Sequence, residues 1–420
     1  MVKFYYILTK EKGMNLKQIK KIFKDTAYER MGGSEQELQC ANYIASLLKE
    51  EGLNAEIEAF EVPMATINSV SLSVDGKKIN CKGYYCCGSH ELTAPLYYLR
   101  ADDKYSLENC KDKIVLIDGI VRYWLYKDLI ENGALGIITY DGDVHYSDSN
   151  IYQRELRSYF SEGQKIPCVN INVRDAVKLI EKDAKQATVS ISQEEYVGNS
   201  HNVTLLIPGE REEEIVFTAH YDSTSLSQGA YDNMSGSVGL IAMALHFAKN
   251  PHSYSLRFVW CGSEERGLLG AKAYCANHEE ELNRIALNIN LDMIGCTMGR
   301  FIACCTTENA LVSYIGYMAD ELGFQVKAYQ EVYSSDSTPF ADKGIPAVSF
   351  ARLASKETAT IHNSYDTATI IKPQQMQLDI EFITAFATRM ANSKRCPVAK
   401  NIPDNIKEKL DEYLLRKRKK

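Results

Sequence analysis

From Val203 onward, short apolar runs alternate with longer segments of helical spacing, and this alternation constrains the fold more than any other feature of the chain. Strands are expected over residues 214–219, 255–261, 286–291, 300–305, 324–328 and 347–351, and helices over 235–249, 267–278, 308–322 and 374–391. Apolar runs that lack polar alternation belong in a sheet covered on both faces. The pattern therefore predicts an α/β fold, a mostly parallel mixed sheet flanked by helices.

Upstream, Leu38, Ala41, Ile44, Leu47 and Leu48 recur at helical spacing within residues 15–53, closing at Gly52, a favourable residue just past a helix end. This stretch reads as one amphipathic helix feeding a strand over 55–62. Near residue 67 the texture changes. Strands are expected over 69–74, 113–117, 135–139, 166–171 and 188–192, with helices over 122–132 and 173–183, a small α/β module of its own. The economical organisation is two domains: residues 1–66 with 196–420, interrupted by an insert over 67–195. Insertion at a surface turn is an accepted architecture.

Composition then excludes several classes of partner. Among 420 residues, 55 acidic against 48 basic ones give a net charge of −7, and the only basic block is 416–420, read as a solvated helix end. No nucleic-acid footprint runs through the chain. The apolar run over residues 4–8 is far below the roughly 18 residues of a spanning helix and is short for a secretory segment. No membrane span is expected, and the expected compartment is the cytoplasm, with export as the alternative. The twelve cysteines show no CxxC spacing and read as buried free thiols in a reducing compartment.

In open α/β sheets, functional groups gather outside the carboxyl ends of the strands. The first strand of the main run leads into His220-Tyr221-Asp222, the next into Glu264-Glu265, the third into Asp292; Asp232 precedes a helix start, and His362 lies in a polar loop before the last long helix. Period-two geometry puts His220 and Asp222 on one face, one suited to bind a metal and the other to orient it. Taken singly, each residue has a bland reading: an Asp after a strand is usually a helix cap, a lone His a satisfied core residue, and Glu264-Glu265 an acidic helix start. As a set, two His and several carboxylates converging on one crevice would repel strongly unless a cation pair offset them. Imidazole and carboxylate ligands suit zinc, and a bridging carboxylate suits two ions.

The blocks Thr218-Ala219-His220-Tyr221-Asp222-Ser223, Gly229-Ala230-Tyr231-Asp232-Asn233-Met234-Ser235-Gly236, Glu264-Glu265-Arg266-Gly267-Leu268-Leu269-Gly270, Asn290-Leu291-Asp292-Met293-Ile294-Gly295 and His362-Asn363-Ser364-Tyr365-Asp366-Thr367 resemble those of the co-catalytic two-zinc aminopeptidases, metallopeptidase family twenty-eight. The insert resembles a protease-associated domain through residues 113–117, 133–138 and Ile166-Pro167. The resemblance implies two zinc ions per chain, with Asp232 bridging them. It further implies that His220 and Asp292 complete one metal's ligands and Glu265 and His362 the other's. Glu264 would be the general base and Asp222 the residue that orients His220. Peptides are the implied substrates, cleaved at the amino terminus.

Two positions depart from the common pattern. Ile361 stands before His362 where relatives often carry a Tyr that stabilises the oxyanion, leaving Tyr365 or Tyr333 as possible substitutes, and Ser337 stands where a His is frequent. Alternative readings on the same fold are a carboxypeptidase, a glutaminyl cyclase and a receptor or scaffold without catalysis. A carboxypeptidase for acidic peptides needs clustered arginines, whereas Arg266 and Arg352 are isolated in the sequence. A cyclase does not normally carry such an insert, and a scaffold need not retain every ligand position and the base. For the insert, the expected roles are a roof over the active-site crevice, a spacer or a dimer contact.

Overall fold

The computed structural model describes residues 14–145 and 150–419. The chain divides into two compact units, residues 1–60 with 199–420, and residues 61–198. Both divisions fall inside continuous strands, Glu56–Val74 and Gln186–Ile207. No turn marks either junction, so the units part a few residues outward of the expected positions at 66/67 and 195/196.

In the larger unit the sheet runs, from one edge, through strands Lys327–Gln330, Arg300–Cys305, Ala347–Leu353, Ile285–Leu291, Arg211–His220 and Tyr254–Cys261 to the end of Gln186–Ile207. Pairing is parallel except where Arg300–Cys305 meets Ala347–Leu353 and where Tyr254–Cys261 meets Gln186–Ile207. Alternate residues of Arg211–His220 enter different cores: Ile215, Phe217 and Ala219 pack with the helices Leu16–Asp25, Glu35–Glu50, Ser235–Phe247 and Pro373–Ala391, while Val216 packs with Leu269–Asn277. A strand buried on both faces has no use for polar alternation, which accounts for its unbroken apolar run.

The helix Ser235–Phe247 is buried almost all round. Two glycines let it approach the sheet: a Cβ on Gly236 would lie 2.2 Å from the Leu291 carbonyl oxygen, and one on Gly239 would lie 2.7 Å from a Leu291 methyl. Register aligns the strand ends that matter, with His220 opposite Cys261 and Thr218 opposite Asn290. Residues just past these ends, Asp222, Glu264, Glu265 and Asp292, therefore leave the sheet side by side.

Several elements differ from expectation. The single helix expected over 15–53 is two, Leu16–Asp25 capped by Asn15 and Glu35–Glu50 capped by Ser34. Gly32 and Gly33 break it, Gly33 with φ of 81°, because Gly32 lies so close to Ser263 that no side chain fits. The strand expected over 324–328 is Lys327–Gln330, since Gly323 closes the preceding helix in the left-handed region and Phe324 turns into the aromatic core against Phe301 and Phe382. A short helix Ser337–Asp342 and a last helix Asp404–Tyr413 have no counterpart among the expected elements. The basic tail is no helix end: the helix stops at Tyr413, and Arg416 pairs with Asp342 and Asp411. The apolar run 4–8 and Lys420 lie outside the described residues. No helix among the described residues is long and apolar enough to cross a membrane.

The unit over 61–198 has a core of its own, built from residues such as Leu72, Val115, Leu129, Ile138, Val169 and Ile191. Its sheet runs Cys81–Gly83, Cys168–Asn172, Gly136–Asp141, Ile114–Leu116, His90–Tyr98 and the first half of Gln186–Ile207. The strand His90–Tyr98 is a further addition to the expected elements, because its burial alternates with exposed Glu91, Thr93 and Pro95 and dilutes the apolar signal.

Candidate metal centre

Strand ends, one tight turn and one loop deliver the site. His220 closes its strand, and its Nδ1 lies 3.3 Å from Asp222 Oδ1, as period-two spacing requires. Asp222 also reaches the next strand end, where its two oxygens accept the backbone N–H groups of Glu264 at 3.0 Å and of Glu265 at 3.2 Å. One buried carboxylate thus orients His220 and fixes the turn that presents both glutamates.

Asp232 sits in a turn that opens at Gly229, whose φ is 50°, and its peptide bond to Asn233 is cis. A Cβ on Gly229 would lie 2.6 Å from Ser223 Cβ and 2.7 Å from the Asp232 carbonyl oxygen, so only glycine fits. Arg30, fully buried, holds the outside of the turn by donating to the carbonyls of Tyr221 at 2.7 Å, Gln228 at 2.7 Å and Gly229 at 3.1 Å, as well as to Thr26 and Tyr28. Asp366 grips the inside, accepting the N–H of Tyr231 at 2.7 Å and of Asp232 at 3.1 Å. Asn233 ties the turn to the strand bearing Asp292, accepting from Met293 N–H at 3.0 Å and donating to the Leu291 carbonyl at 2.9 Å.

The two oxygens of Asp232 serve two histidines. Oδ1 is 3.1 Å from His220 Nε2 and Oδ2 is 3.0 Å from His362 Nε2. His362 Nε2 is also 3.2 Å from Glu265 Oε2, while Asp292 Oδ1 and Glu264 Oε2 each lie 3.9 Å from His220 Nε2. Among the described residues, two groups can hold a metal ion, His220 with Asp232 and Asp292, and Asp232 with Glu265 and His362, their donor atoms within 4.8 Å of one another. The structure brings together all seven residues singled out in the sequence. His362, in a loop with φ of 61°, has a half-exposed side chain, and the others are buried or nearly so.

Burial and crowding set the protonation of this cluster without a metal. Burial raises Glu264 and Glu265 above the usual carboxylate range, helped at Glu264 by the charge of Glu265 and at Glu265 by that of Asp232, with His220 and His362 working the other way. Burial pushes Asp292 up to about 7. Asp232 resists the cost of burial and is held low by hydrogen bonds from His220 and His362. His220 and His362 are raised against the cost of burial, by the charges of Glu264 and Glu265 respectively and by hydrogen bonds to their partners. A metal pair fits this donor set. Imidazole and carboxylate oxygens are suitable ligands, and Asp292 Oδ1 is buried with no hydrogen-bond partner among the described residues, an atom that a cation would satisfy.

Sequence patterning assigns no role to Arg30, Asn233 or Asp336, and it presents Asp366 only as a member of the block that starts at His362. Asp336 is wholly buried beside Cys261, with its carboxyl pushed up to about 7 by burial. Ser337 does not face the metal ligands through a side-chain bond of its own; its hydroxyl bonds Ser349 at 2.8 Å, in a buried polar chain that reaches Asn290. Arg352 is not isolated in space, since it pairs with the buried Asp379.

A doubly covered, mostly parallel sheet with these ligands at its strand ends defines a hydrolytic metal centre of the exopeptidase type. Residues 202–387 match the profile of Peptidase family M28. Over 403 residues it is 28% identical to "Aminopeptidase YwaD" of Bacillus subtilis strain 168, covering 91% of this chain and 85% of that one. The solved structure of BSAP, a zinc aminopeptidase from Bacillus subtilis, superposes with a TM-score of 0.76 at 25% identity, covering 92% of this chain and 98% of that one. The aminopeptidase from Aneurinibacillus sp. strain AM-1 shares the fold, with a TM-score of 0.72 at 23% identity over 92% of this chain and 96% of that one.

Proposed function

We propose that the protein is a zinc-dependent aminopeptidase that carries two zinc ions per chain and hydrolyses the first peptide bond of peptides with a free amino terminus. The observation that carries this reading is the split of Asp232 between His220 and His362, with Glu264 close by but outside both ligand groups. His220, Asp232 and Asp292 would hold one ion, and Asp232, Glu265 and His362 the other. When bound, the zinc pair supplies Lewis acidity toward the scissile carbonyl and a water acidic enough to be deprotonated near neutral pH.

The chain's own residues do the rest. Glu264, fixed by its N–H bond to Asp222, takes a proton from the attacking water as the new C–O bond forms at the carbonyl carbon. It returns that proton to the amide nitrogen as the C–N bond breaks, releasing the first residue as a free acid and the rest as a free amine. No covalent enzyme intermediate is needed.

The unit over 61–198 is read as a protease-associated domain, supported by its independent core. The reading extends to a reducing compartment such as the cytoplasm, supported by the burial of ten of the twelve cysteines.

The test is a panel of aminoacyl-arylamides and peptides, free or acetylated at the amino terminus, with and without chelator. Cleavage of free-amine substrates alone, abolished by chelator and restored by zinc, is expected. Equal cleavage of acetylated substrates, or activity indifferent to chelation, refutes the proposal.

A further inference from the structure

The last helix, Asp404–Tyr413, spends its side chains on one short stretch of the chain. Ile402, Ile406 and Leu410 recur every four residues and pack with Ala341 and Val332. Asn405, Lys409 and Tyr413 form the adjoining stripe at the same spacing. Asn405 donates to Gln330 at 2.8 Å and Lys409 to Glu331 at 2.6 Å, and the Tyr413 hydroxyl meets the Ser334 hydroxyl at 2.6 Å. Beyond the helix, Arg416 grips both oxygens of Asp342, at 2.6 and 2.7 Å, a two-pronged pairing that fixes direction as well as distance. Each of these partners falls within residues 330–342.

That stretch supplies no metal ligand, yet one ligand leans on it. Ser335 is fully buried, and its hydroxyl accepts from Asn290 at 3.1 Å, on the strand Ile285–Leu291 that delivers Asp292. Burial raises the Asp292 carboxyl and the Ser335 hydroxyl lowers it, so the serine favours the ionised ligand. The stretch is tied to the sheet near its start, where the Glu331 N–H donates to the Cys305 carbonyl at 3.1 Å. Around Ser335 the backbone bonds are local: its N–H donates to the Tyr333 carbonyl at 2.8 Å, and its carbonyl accepts from Thr338 N–H at 2.9 Å. The helix grips this turn from both sides, at Glu331 and Ser334 before Ser335 and at Ala341 and Asp342 after it.

We infer that the last helix is a clasp that holds residues 330–342 in place so that Ser335 can support Asp292, which makes Leu410, Tyr413 and Arg416 positioning residues for one of the two metals. The inference rests on the two-zinc reading and deepens it. Asp292 completes the group of His220 and Asp232, while Glu265 and His362, which complete the other group, follow a different strand and lie in a different loop. Groups that orient a ligand tune the affinity of the metal it binds. Releasing the clasp therefore weakens one ion and spares the other, whereas a general loosening of the fold weakens both.

The experiment measures both stepwise zinc affinities of full-length chains, by competition with a chromophoric chelator, beside far-ultraviolet circular dichroism. Leu410→Asp puts a charge into the apolar contact and frees the helix. The triple variant Lys409→Met/Tyr413→Phe/Arg416→Met removes the polar grips and keeps that contact. Leu410→Asp is expected to hold one zinc at wild-type affinity and the second about 10- to 100-fold more weakly, with an unchanged spectrum. The triple variant is expected to show the same selective loss at about 3- to 10-fold, and Glu408→Gln, on the exposed side of the helix, to stay within about twofold of wild type. Adding Asp292→Ala to the triple variant is expected to cost no more zinc than Asp292→Ala alone, because both act through one ligand. Where Leu410→Asp fails to fold, the triple variant decides. The inference is overturned if the triple variant matches wild type at both ions, if both affinities fall together, or if the combined variant loses zinc that Asp292→Ala retains. A wild type that binds fewer than two zinc ions overturns the two-zinc reading together with this one.

Discussion

Asp232 and Glu264 stand in the same cluster and differ in what their removal should cost. Glu264→Gln keeps the shape but loses the proton acceptor, so zinc content should stay at the wild-type level while turnover falls by about 10²–10⁴-fold. Asp232→Ala takes one ligand from each of the two groups, and zinc itself should be lost. Metal analysis beside steady-state kinetics separates the two; equal zinc loss in both variants contradicts the division of roles. Arg30 belongs to the same scale though it touches no ligand. Its guanidinium holds five carbonyls of the turns around the site in a fully buried position, so Arg30→Met should destabilise the fold by about 3–4 kcal/mol, read by urea unfolding. The ligands were legible in the sequence because each follows a strand end or sits in a compact block. Arg30 and Asp366 were not, since they act across 191 and 135 residues of chain, on backbone groups that carry no sequence signature.

Elements were legible in proportion to how simply their burial maps onto sequence. The strands ending at His220, Cys261 and Leu291 are buried through their final turns and announced themselves as apolar runs. The long strands Glu56–Val74 and Gln186–Ile207 announced themselves only in pieces, over 55–62, 69–74 and 188–192, because exposed polar residues such as Glu194, Glu195 and Tyr196 interrupt them while backbone pairing continues. The helix Ser235–Phe247 shows how closely an element can bind site to core. Its Gly236 faces the Leu291 carbonyl one residue before Asp292. Gly236→Ala should force helix and strand apart, with a stability loss of about 2–3 kcal/mol in urea and weaker zinc retention during dialysis. Unchanged zinc retention in a destabilised variant would show that the helix supports the core but not the ligands.

For the molecule as a whole, metal and stability are linked. Chelation should lower the melting temperature, because the carboxylate cluster then lacks its counter-charge. The pH dependence of the chelated chain has a definite sign. Asp292, Asp336 and Asp366 are pushed up to about 7 by burial from an ordinary value of 3.8, so between roughly pH 4 and 7 the folded chain holds more protons than the unfolded one. Stability of the chelated form should therefore fall as pH rises through that window, while the zinc-loaded form, whose ligands must be ionised, should gain. Thermal scans at pH 5 and pH 8, with and without chelator, read both slopes; parallel slopes would sink the linkage. The grip of Arg30 on the turn before Asp232, and of Asp366 on the same turn from the other side, carries one more consequence. The anchors and ligands extend from residue 30 to residue 366, across the whole insert, so no shorter fragment contains a complete centre. Cutting activity is thus withheld until synthesis has passed residue 366, and a partly made chain carries no working blade.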